Sequence, residues 1–125
     1  IMADVQATAD ERCKPMADAL QAMLPLIEKA TQAVGKQMAS AGPRAALSNA
    51  NAYLQLLGHT VAAWMWLRQA NAAVMLSNPD DAVFAKGKLQ AARYFFRWEL
   101  PRVEWDAQQL INGDDTFMEM DPSWF

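Results

Sequence analysis

Apolar positions along the chain fall into three long helical stretches separated by turn signals. The first stretch runs from about Ala3 to Ala41, and its strongest stripe is Met16, Leu20, Met23, Ile27, Ala30, Val34 and Met38. Steps of three and four residues put this whole set on one helix face. Pro15 suits the first turn of a helix, so Ala3 to Lys14 is expected to form a separate short helix. Pro25 lies inside the pattern and is expected to kink it. Ala41-Gly42-Pro43 reads as a stop followed by a restart. The second stretch then runs from about Arg44 to Leu76, and between Ala45 and Pro79 only Arg68 carries a formal charge. Leu47, Ala50, Leu54, Leu57, Val61 and Trp64 make one stripe, while Tyr53, Leu56, Ala63, Leu67 and Val74 occupy the other sides. A helix that is apolar nearly all round is buried in a bundle or covered by a partner.

Ser77-Asn78-Pro79-Asp80-Asp81 is the next break, with a capping side chain, a first-turn proline and two acids at the positive end of the helix dipole. The third stretch continues to about Ile111. Its expected face is Phe84, Gly87, Ala91, Tyr94, Phe95 and Trp98, and the small pair Gly87 and Ala91 would let a neighbouring helix approach closely. Pro101 should bend this helix, and Leu100, Val103, Ala107 and Leu110 carry the stripe beyond it. Asn112-Gly113 ends it, leaving an irregular tail from Asp114 to Phe125. Short connections make successive helices antiparallel neighbours. The expected fold is therefore all-α: one domain over residues 1–125, an up-and-down bundle of three long helices, or four if the N-terminal segment folds back.

Composition agrees. Alanine occurs 24 times, while Val, Ile and Thr together number 13, which favours helix over strand. With 53% hydrophobic and 20% charged residues the chain is not a disordered tail, and a net charge of -3 leaves no basic footprint for nucleic acid. The longest apolar run, Val61 to Leu67, is too short for a membrane span, so a soluble protein is expected. No secretory signal pattern is present. A single cysteine, Cys13, excludes intrachain disulfides and points to a reducing compartment such as the cytoplasm. A single histidine, His59, excludes two-histidine metal sites. The chain opens on Ile1 rather than methionine, so we expect a piece excised from something longer, or a cloning scar.

Candidate chemistry is sparse. His59 has no carboxylate near it in sequence and is read as a structural, hydrogen-bonded histidine. Cys13 lies between Arg12 and Lys14, which could lower its pKa, but without a histidine neighbour a reactive role is not assigned. Lys86, Arg93 and Arg97 share a helix face that could hold a phosphate, for example on coenzyme A; the simpler reading is a solvated face. Arg102 and Asp106 form a weak i,i+4 pair. Glu99 and Glu104 flank Pro101 without sharing a face. Trp64 and Trp66 point about 200° apart, so both cannot enter one core, and Trp98 and Trp105 add further aromatic surface. Large aromatics on two sides of a helix suggest a second buried surface. The apolar groups of the tail, Phe117 among them, are expected to dock on the bundle or on a partner. No catalytic signature and no metal or cofactor ligand set is found, so no catalytic, cofactor-binding or metal residue is assigned.

The run Phe84-Ala-Lys-Gly-Lys-Leu-Gln-Ala-Ala-Arg-Tyr-Phe-Phe-Arg-Trp-Glu-Leu-Pro101 resembles part of the C-terminal extension of a bacterial subgroup of acyl-CoA dehydrogenases. Lys88, Ala92, Arg93, Tyr94, Phe95, Leu100, Pro101, Ile111 and Gly113 carry the likeness, and Tyr53-Leu-Gln-Leu-Leu-Gly58 with Trp64 resembles the preceding helix. The similarity extends from about Gln21 to Phe125. It implies a helical domain appended to a flavoenzyme core that oxidises acyl-CoA to the 2,3-enoyl thioester with FAD. The family's proton-abstracting glutamate and flavin-binding segments belong to that core, and no residue here matches them. The implied partners are the parent's catalytic core and other subunits, with acyl-CoA as the parent's substrate. Two other readings stay open. One is a free-standing helical interaction or granule-coat protein, motivated by the methionine-rich first stretch. The other is a cofactor-binding bundle enzyme, which the shortage of histidines disfavours.

Overall fold

A computed structural model describes residues 1–125, the side chain of Phe117 excepted. Every long element is helical: α1 Met2–Ala7, α2 Lys14–Leu47, α3 Ala50–Val74, α4 Ala82–Trp98 and α5 Arg102–Asn112. Short 3-10 turns cover Pro79–Asp81, Thr116–Glu119 and Pro122–Trp124. Three long arms pack together, the third being α4 and α5 end to end, and α1 folds back as the fourth helix.

The punctuation acts where its chemistry requires. Pro15 stands in the first turn of α2, where its missing N–H would have no partner anyway. Pro25 is carried within α2 at helical dihedrals, at the cost of one backbone hydrogen bond. The break comes at Gly42, with φ 82° and ψ -179°, a combination open essentially to glycine alone. A short helical turn follows, so α3 starts at Ala50 rather than near Arg44. Asn78 Oδ1 accepts from the Asp80 amide and caps the turn that leads into α4. Pro101 divides the third stretch instead of merely bending it. The amides of Glu99 and Leu100 both donate to the Phe95 carbonyl, and α5 begins just after the proline. Gly113 ends α5 at φ 66°, the left-handed cap that a side chain would strain.

Helix α3 is the hub, packing on α2, α4 and α5. Its buried face is Leu56, Thr60, Ala63, Leu67, Ala70 and Ala73. Thr60 buries its hydroxyl because Oγ1 donates to the Leu56 carbonyl at 2.7 Å. Of the two apolar sets that the periodicity gives for this helix, Leu56, Ala63 and Leu67 go in, while Leu47, Leu54, Leu57 and Val61 of the other stripe are exposed. The same holds for α4, where Leu89, Ala92 and Phe96 are buried and Phe84, Tyr94 and Trp98 face outward. A Cβ added at Gly87 would meet nothing within 4 Å, so no helix of this chain approaches closely there. In both helices two faces are apolar, and the spacing of apolar residues does not say which one goes in. The expected α2 face is the right one: Met16, Leu20 and Ala30 are buried, Met23, Ile27 and Val34 half-buried, and only Met38 is exposed. Leu20, Leu100, Val103 and Leu110 close the core with α3.

Polar bonds fix α1 to α3. Trp64 Nε1 donates to Asp4 Oδ2 at 2.6 Å, and Asn71 Nδ2 donates to Thr8 Oγ1 at 2.8 Å. Arg68 lies over the Trp64 ring, 5.7 Å from its centroid. Among the described residues, no helix is long and apolar enough to cross a membrane.

The choice of face is directly measurable. Leu67→Ala opens a cavity in the α3 seam and should cost about 2–5 kcal/mol in urea unfolding. Leu54→Ala, at a side chain 67% exposed, should stay within about 0.5 kcal/mol of the parent chain.

Candidate functional site

Two clefts and two outward apolar faces hold the side chains able to act on something else. The larger cleft, about 600 Å³, lies between the start of α2 and the C-terminal half of α4. Arg93 and Arg97 of the basic row line it together with Arg12, Tyr94 and Trp98, and Lys86 stays outside. Arg12 already forks onto Asp10, through Nε at 2.9 Å and Nη2 at 2.8 Å. That guanidinium, with the Arg12 backbone amide, pulls the Asp10 carboxyl down to about 2. Arg93 and Arg97 make no ion pair among the described residues. Tyr94 and Trp98 are exposed and stack on one another, with centroids 6.3 Å apart and ring planes at 28°. The cleft thus offers two uncommitted guanidinium groups beside an aromatic platform, a combination suited to an anionic group attached to a flat or apolar one.

The smaller cleft, about 470 Å³, is lined by Asn51, Gln55, His59, Arg102, Trp105 and Asp106. His59 has no acid near it in sequence, but folding supplies carboxylates from the third arm. Its Nδ1 faces the Gln55 carbonyl at 2.9 Å. A carbonyl only accepts, so Nδ1 carries the proton and Nε2 is left facing Glu99 Oε2 at 3.5 Å. That contact becomes an ion pair when His59 is protonated. Glu99 Oε2 also takes Arg102 Nε at 3.2 Å, so Arg102 pairs with Glu99 and not with Asp106. Asp106 is buried, and burial pushes its pKa up against the opposing pull of His59 and Arg102. Glu104 points to solvent and joins neither cleft. The cluster ties α3 to the α4–α5 turn, which supports the structural reading of His59. Among the described residues no group of three or more His, Cys, Asp or Glu could hold a metal ion.

Cys13 does not gain the lowered pKa that Arg12 and Lys14 could have given it. Its side chain is fully buried, and loss of solvent pushes its pKa up, with Asp10 adding to the shift; the nearby Arg12 and Arg93 only partly offset this. The two tryptophans of α3 do divide between flanks: Trp64 binds α1, while Trp66 lies against Phe95 at a centroid distance of 6.5 Å. Trp98 and Trp105 both face solvent. The first part of the tail docks on the bundle. Asn49 Nδ2 donates to the Asp114 carbonyl, and Met118 and Met120 line a groove with Arg44, Leu47 and Ser48. Trp124 and Phe125 are exposed, and the side chain of Phe117 lies outside the described residues.

The acetyl-CoA dehydrogenase C-terminal-like family model matches residues 1–121 of the 125-residue chain. The chain belongs to that family. No curated protein and no solved structure gave a match. Membership supports reading this acetyl-CoA dehydrogenase C-terminal-like chain as an accessory domain of acyl-CoA dehydrogenase-like proteins. The family implies FAD in the parent enzyme, and a flavin needs an apolar slot for its isoalloxazine ring. Both clefts are open troughs lined in large part by charged side chains, and neither encloses such a slot. No residue of this chain is assigned to FAD.

Burial of Asp106 has a pH signature. Its pKa is higher folded than unfolded, so between the ordinary value of 3.8 and the raised one the folded state holds the extra proton. This contribution to stability is present at low pH and is lost as pH rises through that window. Asp106→Asn should raise the unfolding midpoint at pH 7 and flatten the profile of stability between pH 4 and 7, as followed by circular dichroism. An unchanged slope would contradict this assignment.

Proposed function

We propose that the chain is a single helical domain from the C-terminal part of an acyl-CoA dehydrogenase-like flavoenzyme. Its parent oxidises acyl-CoA to the 2,3-enoyl thioester, with FAD bound in the core as hydride acceptor, and the parent works in the cytoplasm. The domain itself carries no catalytic residue; it packs on the catalytic core or between subunits.

The observation that carries this reading, beside family membership, is the outward ridge of α3. Leu54, Leu57 and Val61 stand exposed along one side of the hub helix, with Leu47 exposed just before it, and the sole formal charge of α3 is Arg68. Contiguous apolar ridges of this kind mark protein-binding surfaces. A ridge without charges suits a permanent contact, because permanent interfaces resemble a divided core. The ridge is the surface we assign to the catalytic core.

The test uses the full-length enzyme. Deleting the segment equivalent to residues 1–125, or introducing Leu57→Lys with Val61→Lys, should lower enoyl-CoA formation by at least about tenfold, equivalent to about 1.4 kcal/mol in the barrier, or change the number of subunits in the assembly. If activity, assembly and acyl chain-length preference all survive both changes, the accessory role is wrong.

A further inference from the structure

The core-facing stripe of α5 contains an acid. Asp106 shares it with Val103, Ala107 and Leu110, and only 7% of the residue is exposed. An apolar side chain would pack there without a desolvation cost, whereas a carboxylate taken out of water needs a partner. Among the described residues it has none, since Asp106 joins no ion pair and no side-chain hydrogen bond. Nor is it sealed. No side-chain oxygen among the described residues is both fully buried and without a partner, so the oxygens of Asp106 open into the 470 Å³ cleft that it lines.

The surroundings of this carboxylate favour a flat cation. Arg102 spends its charge on Glu99 at 3.2 Å, and His59 directs its Nδ1 proton to the Gln55 carbonyl. With His59 neutral, the four titratable groups leave one uncompensated charge, the negative charge of Asp106. Asn51 and Gln55, one turn apart on α3, line the same cleft, and the structure gives their side-chain amides no hydrogen bond among the described residues. Trp105 lines it too, with 66% of its surface exposed. We infer that this cleft binds a guanidinium group, whose N–H fork meets the Asp106 carboxylate while its plane lies on the Trp105 ring. Guanidinium is chosen over ammonium because it is planar, weakly hydrated and matched to a carboxylate by two parallel hydrogen bonds. The amide oxygens of Asn51 and Gln55 accept from its remaining N–H groups. Burial raises the pKa of Asp106; His59 from α3 and Arg102 from its own helix are the charges that act against this, and α2 supplies none. The cation prefers the ionised carboxyl, so binding tightens as pH rises through the raised value and weakens below it. The inference rests on the cleft alone and stands independently of the flavoenzyme reading.

Titration of methylguanidinium into the isotope-labelled 1–125 chain, followed by NMR, tests it. The amide signals of Gln55, Trp105 and Asp106 should move together and saturate. Methylurea, planar and of similar size but uncharged, should bind at least about tenfold more weakly. Asp106→Asn preserves the shape of the side chain and should weaken methylguanidinium binding by about tenfold or more, in the range of a lost hydrogen bond to a charged group. Trp105→Ala should weaken it by about threefold, in the range of an exposed cation–π contact. The affinity of the wild-type chain should rise between pH 4 and 7, and the rise should be absent in Asp106→Asn. Circular dichroism checks that both variants remain helical. The same titration of the full-length enzyme separates two sources of the group: a cleft that still takes methylguanidinium serves a free ligand, and one that no longer does is filled by an arginine of the parent enzyme. In the 1–125 chain, the absence of a saturable shift at these residues, equal binding of methylurea, or binding that survives Asp106→Asn unchanged would each overturn the proposal.

Discussion

The seam along α3 from Leu56 to Ala73 is the constraint on which the rest of the molecule depends. Leu56 and Leu67 are fully buried, and Ala63 and Ala70 beside them are small enough to let α2, α4 and α5 approach together. Each buried leucine contributes about 1.5–3 kcal/mol by removal from water, and the alanines add close contact rather than bulk. Thr60 enters the seam only because its hydroxyl bonds back to the Leu56 carbonyl. Once this face is turned inward, the residues on the opposite side must face out. The outward position of Leu54, Leu57 and Val61 is therefore a geometric consequence of the core, while their apolar character is not and calls for a separate explanation.

Element type and punctuation were legible in the sequence because they are local. Pro15, Asn78-Pro79, Pro101 and Gly113 each act on the backbone within a few residues, and each marks a boundary in the structure. The phase of burial on α3 and α4 was not legible. On α2 charged residues mark the outer side, so Met16, Leu20 and Ala30 were found by spacing alone. Along α3 only Arg68 gives such a mark, and along α4 the large aromatics Tyr94 and Trp98 outweigh the modest Leu89 and Ala92 that are buried instead. Size misleads when a helix has two partners to satisfy, because the bundle prefers the small, close-packing face.

The candidate site shows the same division. Arg93 and Arg97 fall four residues apart on one helix, and spacing alone puts them in one place. His59 and Glu99 are 40 positions apart, brought within 3.5 Å by the pairing of α3 with the α4–α5 turn. No local signal could have joined them, though a lone histidine on an apolar helix is reason to ask what it meets. The surroundings of Cys13 were hidden for a related reason. Adjacent arginine and lysine in sequence suggest an electropositive thiol, yet their side chains turn to solvent while the sulfur turns into the core. Burial then outweighs charges that pair elsewhere, Arg12 with Asp10 and Lys14 with Glu11.

Two outward faces remain, and their chemistry differs in a way that separates their roles. The α3 ridge is aliphatic and almost without charge, so covering it yields burial energy with little desolvation penalty, and salt should hardly affect the contact. The α4 face combines cations with aromatic rings. Binding to such a face would be partly electrostatic, steered from a distance and screened by salt. A domain with both faces can be anchored firmly through one while the other stays responsive to its surroundings. The break at Pro101 helps keep the two apart: it ends α4 at Trp98, beside the cleft, and lets α5 return to the core to complete the seam on which the α3 ridge depends.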